Sequence, residues 1–97
     1  MAGKIIWSKA ARQDLTEVLE YWNNRNKSKT YSQFLLKEIG TLLQLLLKFP
    51  FLGLPTDKTG VRIKIFKNFK IFYEVRKNSI WILRIWDTRQ NPKNLDL

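Results

Sequence analysis

Three short apolar runs between Val61 and Trp86 constrain the fold of this 97-residue chain more than any other feature. The runs are rich in β-branched and aromatic residues, which fit the pleated surface of a sheet. Polar breaks that begin at Lys67 and Lys77 separate them, and breaks of this length and composition are typical of hairpin turns. The pattern therefore predicts an antiparallel meander of three strands.

Side chains alternate between the two faces of a strand, so the runs divide into two sets. We assign one set to a face that packs on a core: Val61, Ile63, Ile65, Phe69, Ile71, Tyr73, Val75, Trp81, Leu83 and Ile85. The other set mixes cations with large apolar side chains: Arg62, Lys64, Phe66, Lys70, Phe72, Arg76, Ile82, Arg84 and Trp86. A solvated face would be more uniformly polar, so the second set predicts a surface for a phosphate-bearing or protein partner.

The first 60 residues predict one strand and two helices. Lys4–Trp7 has the pattern of a short strand, and Ser8 is a suitable N-cap for a helix that follows it. A second helix, over about residues 31–48, is too apolar for the surface, so we expect it to pack on both the first helix and the sheet. In the loop after it, we expect Phe51 and Leu54 to pack inward.

The chain carries 18 Lys and Arg against 8 Asp and Glu, a net charge of +10. So large a charge predicts attraction to nucleic acid, the ribosome or an acidic protein. Neither cysteine nor histidine occurs, which excludes disulfides, thiolate metal sites and the commonest general base. We expect one domain over residues 1–97, without metal or cofactor. We also expect a cytoplasmic location without membrane association, because no signal peptide or membrane-spanning apolar run occurs.

The stretch VRIKIFKNFKIFYEVRKNSIWILRIWDTRQNP resembles the C-terminal half of the RelE/ParE superfamily, the toxins of type II toxin–antitoxin systems. The N-terminal stretch IIWSKAARQDLTEVLEYW resembles its first strand and helix, in the style of the ParE branch. With the predicted elements, this indicates an α+β fold in which two antiparallel helices pack on one face of a small antiparallel sheet, in the order β-α-α-β-β-β. The resemblance also implies an acidic antitoxin as partner, in a toxin–antitoxin hetero-oligomer.

The two branches of the superfamily imply two functions. ParE-like members inhibit DNA gyrase without catalytic residues of their own. RelE-like members cleave mRNA on the ribosome, where the 2′-hydroxyl attacks the adjacent phosphate. The RNase branches usually carry Tyr or His near the C-terminus, and the ending WDTRQNPKNLDL has neither, so gyrase inhibition is our leading expectation. Ribosome-dependent RNase activity and a non-catalytic basic RNA-binding module are the alternatives.

If the chain is an RNase, the resemblance assigns the cations at the phosphate to Arg62, Arg84 and Lys64. Tyr73 is then the candidate proton acceptor, although its place in the second run also fits a buried core phenol. The two arginines would otherwise be solvated or ion-paired residues of the sheet. For partner binding we name a wider set: Lys58, Phe66, Lys70, Phe72, Ile82, Trp86 and Arg89.

Overall fold

The computed structural model describes residues 3–89, 95 and 97. The elements are β1 (Lys4–Trp7), α1 (Lys9–Asn26), α2 (Thr30–Lys48), β2 (Leu54–Pro55), β3 (Val61–Phe66), β4 (Phe69–Arg76) and β5 (Ser79–Asp87). Two helices therefore pack against a sheet of five strands, which confirms the predicted α+β class. Within the described ranges, no helix is both long and apolar enough to cross a membrane.

The sheet is mixed, not wholly antiparallel as predicted, and its strand order is β1-β5-β4-β3-β2. Its centre is the predicted antiparallel meander of β3, β4 and β5. At one edge β1 runs parallel to β5, and at the other the two-residue β2 pairs antiparallel with β3. Alternation of residue types indicates the face of a sheet that a side chain occupies, but it does not indicate whether an edge strand is parallel or antiparallel. Strand β2 was not predicted because two residues are too few to show any alternation.

The main hydrophobic core lies between the helices and the sheet. Its buried residues are Ala11, Ile39, Leu43, Leu46, Phe69, Ile71, Tyr73, Ile80, Ile82 and Ile85. A smaller cluster on the opposite face of the sheet contains Val61, Phe72 and Trp86, against which Ile63, Leu83 and Leu95 pack. The face that we expected to bind a partner therefore has an apolar cluster of its own.

The faces predicted for β3 are reversed in the structure. Phe66 pairs with Phe69 across the turn between β3 and β4, and residues paired in this way project to the same face. Arg62 and Lys64 consequently lie on the helix-facing side. The apolar residues of β3 lie on the other side: Val61, Ile63 and Ile65. The two-residue turn fixes this register, whereas the prediction grouped the runs by residue type.

An irregularity in β5 reverses half of the pattern predicted for that strand. Tyr73 pairs with Ile82 but the preceding residue, Phe72, pairs with Arg84, so Leu83 is an extra residue that changes the alternation. Trp86 accordingly lies on the predicted face, opposite the helices. The assignment of Ile82 to that face is wrong, because Ile82 is fully buried in the main core.

Candidate functional site

Two of the predicted catalytic residues hold the loop at residues 50–53, which follows α2. The hydroxyl of Tyr73 accepts a hydrogen bond from the Gly53 N–H at 2.8 Å and donates one to the Pro50 carbonyl oxygen at 2.9 Å. Arg62 Nη1 donates to the carbonyl oxygens of Gly53 at 2.7 Å and Phe51 at 3.3 Å. These side chains satisfy backbone groups that an irregular loop has no regular ladder to pair. Tyr73 and Arg62 are neighbours because they face each other in the β3–β4 pair.

The environment of Tyr73 favours its neutral form. Burial raises the pKa of the Tyr73 phenol, while the hydrogen bond from Gly53 and the charge of Arg62 act in the opposite direction. A phenol must lose its proton before it can act as a base, so a raised pKa opposes that role at neutral pH. Tyr73 thus occupies the core position that the sequence offered as its alternative.

Gly53 allows the loop to approach the sheet closely. A Cβ atom at this position would lie 2.7 Å from the carbonyl oxygen of Ile63 and 2.7 Å from the ring of Tyr73. Both distances are far below van der Waals contact, and one of the obstructing atoms is backbone. The loop, the hydroxyl of Tyr73 and the guanidinium of Arg62 therefore form one tightly packed unit, which we call the loop clamp.

Arg84 pairs with α1 at a different part of the sheet. Its Nε and Nη2 donate to the two carboxylate oxygens of Asp14 at 2.7 and 2.9 Å. The backbone N–H of Ile85 donates to the same carboxylate at 3.0 Å. Strand β1 pairs only with Ser79–Ile82 of β5, so it offers no acceptor to the N–H of Ile85. The Asp14 carboxylate accepts that hydrogen bond instead. The Arg84 and Asp14 side chains are only 17% and 11% exposed, so this bidentate pair joins α1 to the sheet.

The lysines of the predicted site lie on both faces of the sheet. Lys64 is half-buried on the helix-facing side, opposite Ile71 in β4. Lys70 is half-buried on the other side, opposite Trp86 in β5. Lys58, in the loop before β3, donates to the backbone oxygen of Leu97. The structure does not bring these cations together around one point where a phosphate would sit.

Arg89 belongs to an ion pair just beyond β5. Its Nε and Nη2 donate to the Asp87 carboxylate, at 3.0 Å to Oδ1 and 2.6 Å to Oδ2. These hydrogen bonds from Arg89 are the main reason that the pKa of Asp87 lies below its ordinary value. The pair is exposed on the arginine side, so it contributes little to stability.

The apolar residues predicted to bind a partner are largely inaccessible. Phe72 and Trp86 are each 5% exposed, and Ile82 is 0% exposed. Phe66 is half-buried against the main core. The structure therefore gives these four side chains packing roles and offers no open apolar face at their positions.

The loop after α2 carries exposed apolar side chains that the sequence analysis did not predict. Phe51 is 66% exposed and Leu54 is 67% exposed, so the expectation that they pack inward is wrong. The clamp explains the difference, because it pins the loop through backbone groups and leaves the side chains pointing outward. Four large apolar residues within positions 49–54, among Pro and Gly, were the available sequence signal. Among the residues that the structure describes, no cluster of metal-ligating side chains occurs.

Comparison with known proteins agrees with this fold. The sequence model for the ParE toxin of the type II toxin–antitoxin system, parDE, matches residues 5–92. A solved structure of the chromosomal ParDE TA system from P. aeruginosa aligns with a TM-score of 0.72 and 21% identity, over 88% of this chain and 94% of that chain. No curated protein matches the chain significantly.

The fold and the family match together define a toxin of a type II toxin–antitoxin system. Within that class, the chain belongs to the ParE toxin family, which confirms the predicted RelE/ParE membership. Membership of a toxin–antitoxin system implies an antitoxin as partner.

Proposed function

We propose that this protein arrests growth by inhibiting DNA gyrase, in the cytoplasm, and that its cognate antitoxin neutralises it in a hetero-oligomer. The observation that carries the proposal is the structural use of the candidate catalytic side chains. Tyr73 and Arg62 bind the loop after α2, and Arg84 binds Asp14. A toxin that acts by binding another protein needs no general acid or general base. This agrees with a structure in which the candidate catalytic side chains hold the loop and α1.

RNA cleavage through the 2′-hydroxyl makes demands that this arrangement meets poorly. It needs a proton acceptor beside the hydroxyl and cations around the phosphate as charge accumulates. The candidate acceptor, Tyr73, is fully buried, and burial raises its pKa. Arg84 lies in the part of β5 beyond the end of β1, whereas Arg62 is hydrogen-bonded to the loop after α2. These placements support gyrase inhibition over the RNase alternative.

Ribosome-dependent RNase activity is the second candidate, and the charge of the chain favours it. A net charge of +10 promotes binding to the ribosome, and Lys64 and Lys70 keep part of their surface in water. This candidate predicts cuts in translated messages at a fixed position within codons, which gyrase inhibition does not produce.

A supercoiling assay with purified gyrase and relaxed plasmid tests the leading proposal. The purified chain should inhibit supercoiling by gyrase, and this inhibition should not occur when the antitoxin is added first. Relaxation by topoisomerase I at the same protein concentration is the control, because a chain of charge +10 coats DNA without specificity at low salt. Equal inhibition of both enzymes would contradict the proposal. Codon-phased cuts in primer extension, with gyrase unaffected, would establish the RNase alternative.

Loss of toxicity in Arg62→Ala or Arg84→Ala would not identify a catalytic site. Each substitution removes structural hydrogen bonds, to the loop in one case and to Asp14 in the other. Lys64→Ala and Lys70→Ala are better probes of a phosphate site, because both side chains reach the surface and an effect on toxicity would be easier to separate from folding. Retained arrest in both lysine variants would further support a target that is not RNA.

A further inference from the structure

The loop after α2 concentrates exposed apolar surface in a short stretch. Phe49, Phe51, Leu52 and Leu54 are 57%, 66%, 43% and 67% exposed. The two phenylalanines alone leave roughly 250 Å² of apolar surface in water, since an aromatic side chain carries about 200 Å². Ile65 adjoins this surface at 58% exposure, two residues beyond Ile63, the strand partner of Leu54. Exposed apolar patches of a few hundred Å² on monomeric proteins are often functional, which makes this loop a candidate interaction surface.

The loop clamp holds this surface in one shape. Tyr73 and Arg62 bind the loop backbone at Pro50, Phe51 and Gly53. The Arg62 guanidinium also lies 5.1 Å from the centre of the Phe51 ring, which restrains that side chain. A partner that binds an ordered loop loses less conformational entropy than one that must order it. The clamp therefore preorganises the exposed residues for docking.

The charge around the loop selects the chemistry of its partner. Between positions 48 and 64 the chain has four cationic residues and a single carboxylate, Asp57. The cations are Lys48, Lys58, Arg62 and Lys64. Exposed apolar side chains in a stretch of the chain with an excess of positive charge complement a segment that carries apolar residues together with Asp or Glu. A nucleic acid would match the charge but would leave the aliphatic side chains of Leu52 and Leu54 without partners.

We propose that residues 49–54, extended by Ile65, form the docking surface for an acidic, apolar segment of the antitoxin. The proposal rests on the antitoxin partner of the proposed function but is independent of whether gyrase is the target. It assigns Tyr73 and Arg62 a positioning role, in which they act through the loop. The docking residues themselves are the outward side chains of the loop.

Matched double variants test the proposal on the folded, full-length chain. Phe51→Gln with Leu54→Gln removes apolar surface from the loop, and Phe34→Gln with Leu36→Gln removes it from exposed positions on α2. The probe is the purified cognate antitoxin, with binding measured by calorimetry. Burial of the exposed two thirds of Phe51 and Leu54 is worth about 30-fold or more in affinity, so the loop variant should lose at least that. The α2 variant should stay within about threefold of the unaltered chain.

Several results would overturn the docking surface. These are a loop variant that binds within about threefold of the unaltered chain, an equal loss in both variants, or no binding by the unaltered chain. The single variant Phe51→Gln, at the exposed tip, gives the same comparison if the double variant unfolds. Supercoiling inhibition is measured in parallel on the free proteins. A chain that binds the probe through the loop but spares gyrase would contradict the proposed target and leave the docking surface standing.

Discussion

Replacing Tyr73 with Phe removes one hydroxyl group and leaves the aromatic ring in the core. Two backbone groups of the loop then lose their partner, the Gly53 N–H and the Pro50 carbonyl oxygen. The bond to Gly53 is buried, whereas the bond to Pro50 is only partly buried. Water can therefore replace the hydroxyl at Pro50 more readily than at Gly53.

The expected cost follows from this difference in burial. An unsatisfied buried donor costs about 1–3 kcal/mol, and a partly solvated acceptor costs about 0.5–1 kcal/mol. We therefore expect Tyr73→Phe to lower the free energy of unfolding by about 2–3 kcal/mol, a large share of the 5–15 kcal/mol typical of small domains. With a urea m-value of about 1.5 kcal/mol/M, the unfolding midpoint should fall by roughly 1.3–2 M.

Urea unfolding followed by tryptophan fluorescence measures this change. Tyr21→Phe is the matched control, because it removes a hydroxyl from a side chain that is 46% exposed and bonded to Arg25 at the surface. It should change the free energy of unfolding by less than about 0.5 kcal/mol. Amide exchange adds a local measurement: the Gly53 N–H should be protected in the unaltered chain and exchange faster in Tyr73→Phe.

A loss below about 0.5 kcal/mol for Tyr73→Phe, with Gly53 still protected, would refute the clamp. The same variant also separates the two functions. A general base at position 73 requires that folded Tyr73→Phe be inactive. Gyrase inhibition without a catalytic residue predicts that growth arrest persists at temperatures where the variant is folded.

Three further predictions concern the clamp and the pair that joins α1 to the sheet. Burial raises the pKa of Tyr73 above its ordinary value of 10.0. The contribution of this raised pKa to stability is therefore complete below about pH 10 and is lost as the pH rises through the pKa of the folded state. Urea midpoints should fall more steeply above about pH 10 in the unaltered chain than in Tyr73→Phe. Gly53→Ala should cost about 1–3 kcal/mol, because its Cβ would meet backbone at 2.7 Å, and a smaller loss in thermal or urea unfolding would show that the loop can withdraw. Arg84→Ala and Asp14→Ala should show a coupling energy of about 1–2 kcal/mol in a double-mutant cycle, and additive losses would contradict the pair as a stabilising contact.

The sequence was sufficient to predict the meander and the two helices, because periodicity and residue type determine these features, and its resemblance to the RelE/ParE superfamily indicated the family. The sequence also contained the information on which side of β3 faces the helices, but our prediction grouped the runs by residue type and assigned the wrong side. The two-residue turn at Lys67 carried that information, since it places Phe66 opposite Phe69. The irregularity at Leu83 had no comparable signal, because a bulge depends on how two strands fit together. Its effect was to bury Ile82, which we had assigned to the binding face.

The site was predicted less well than the fold because its contacts are long-range or made to backbone. Arg84 binds Asp14, which is 70 positions away in the chain, and no local pattern links the two residues. Tyr73 binds the backbone groups of Gly53 and Pro50, and the residue types at these positions do not predict such hydrogen bonds. The sequence did offer core packing for Tyr73 and ion pairing for Arg84 as alternatives to catalysis, and in the structure Tyr73 is part of the core and Arg84 is paired with Asp14.

The clamp links the stability of the toxin to the shape of its proposed docking surface. Tyr73 lies in β4, at the centre of the sheet, so the loop keeps its shape for as long as the sheet is folded. A partner that binds only the ordered loop stabilises the folded chain by mass action, and the effect grows with partner concentration. Loss of the Tyr73 hydroxyl would then lower both the stability of the free toxin and its affinity for the antitoxin. Loss of an outward side chain such as Phe51 would lower the affinity alone, because that side chain contributes little to the fold.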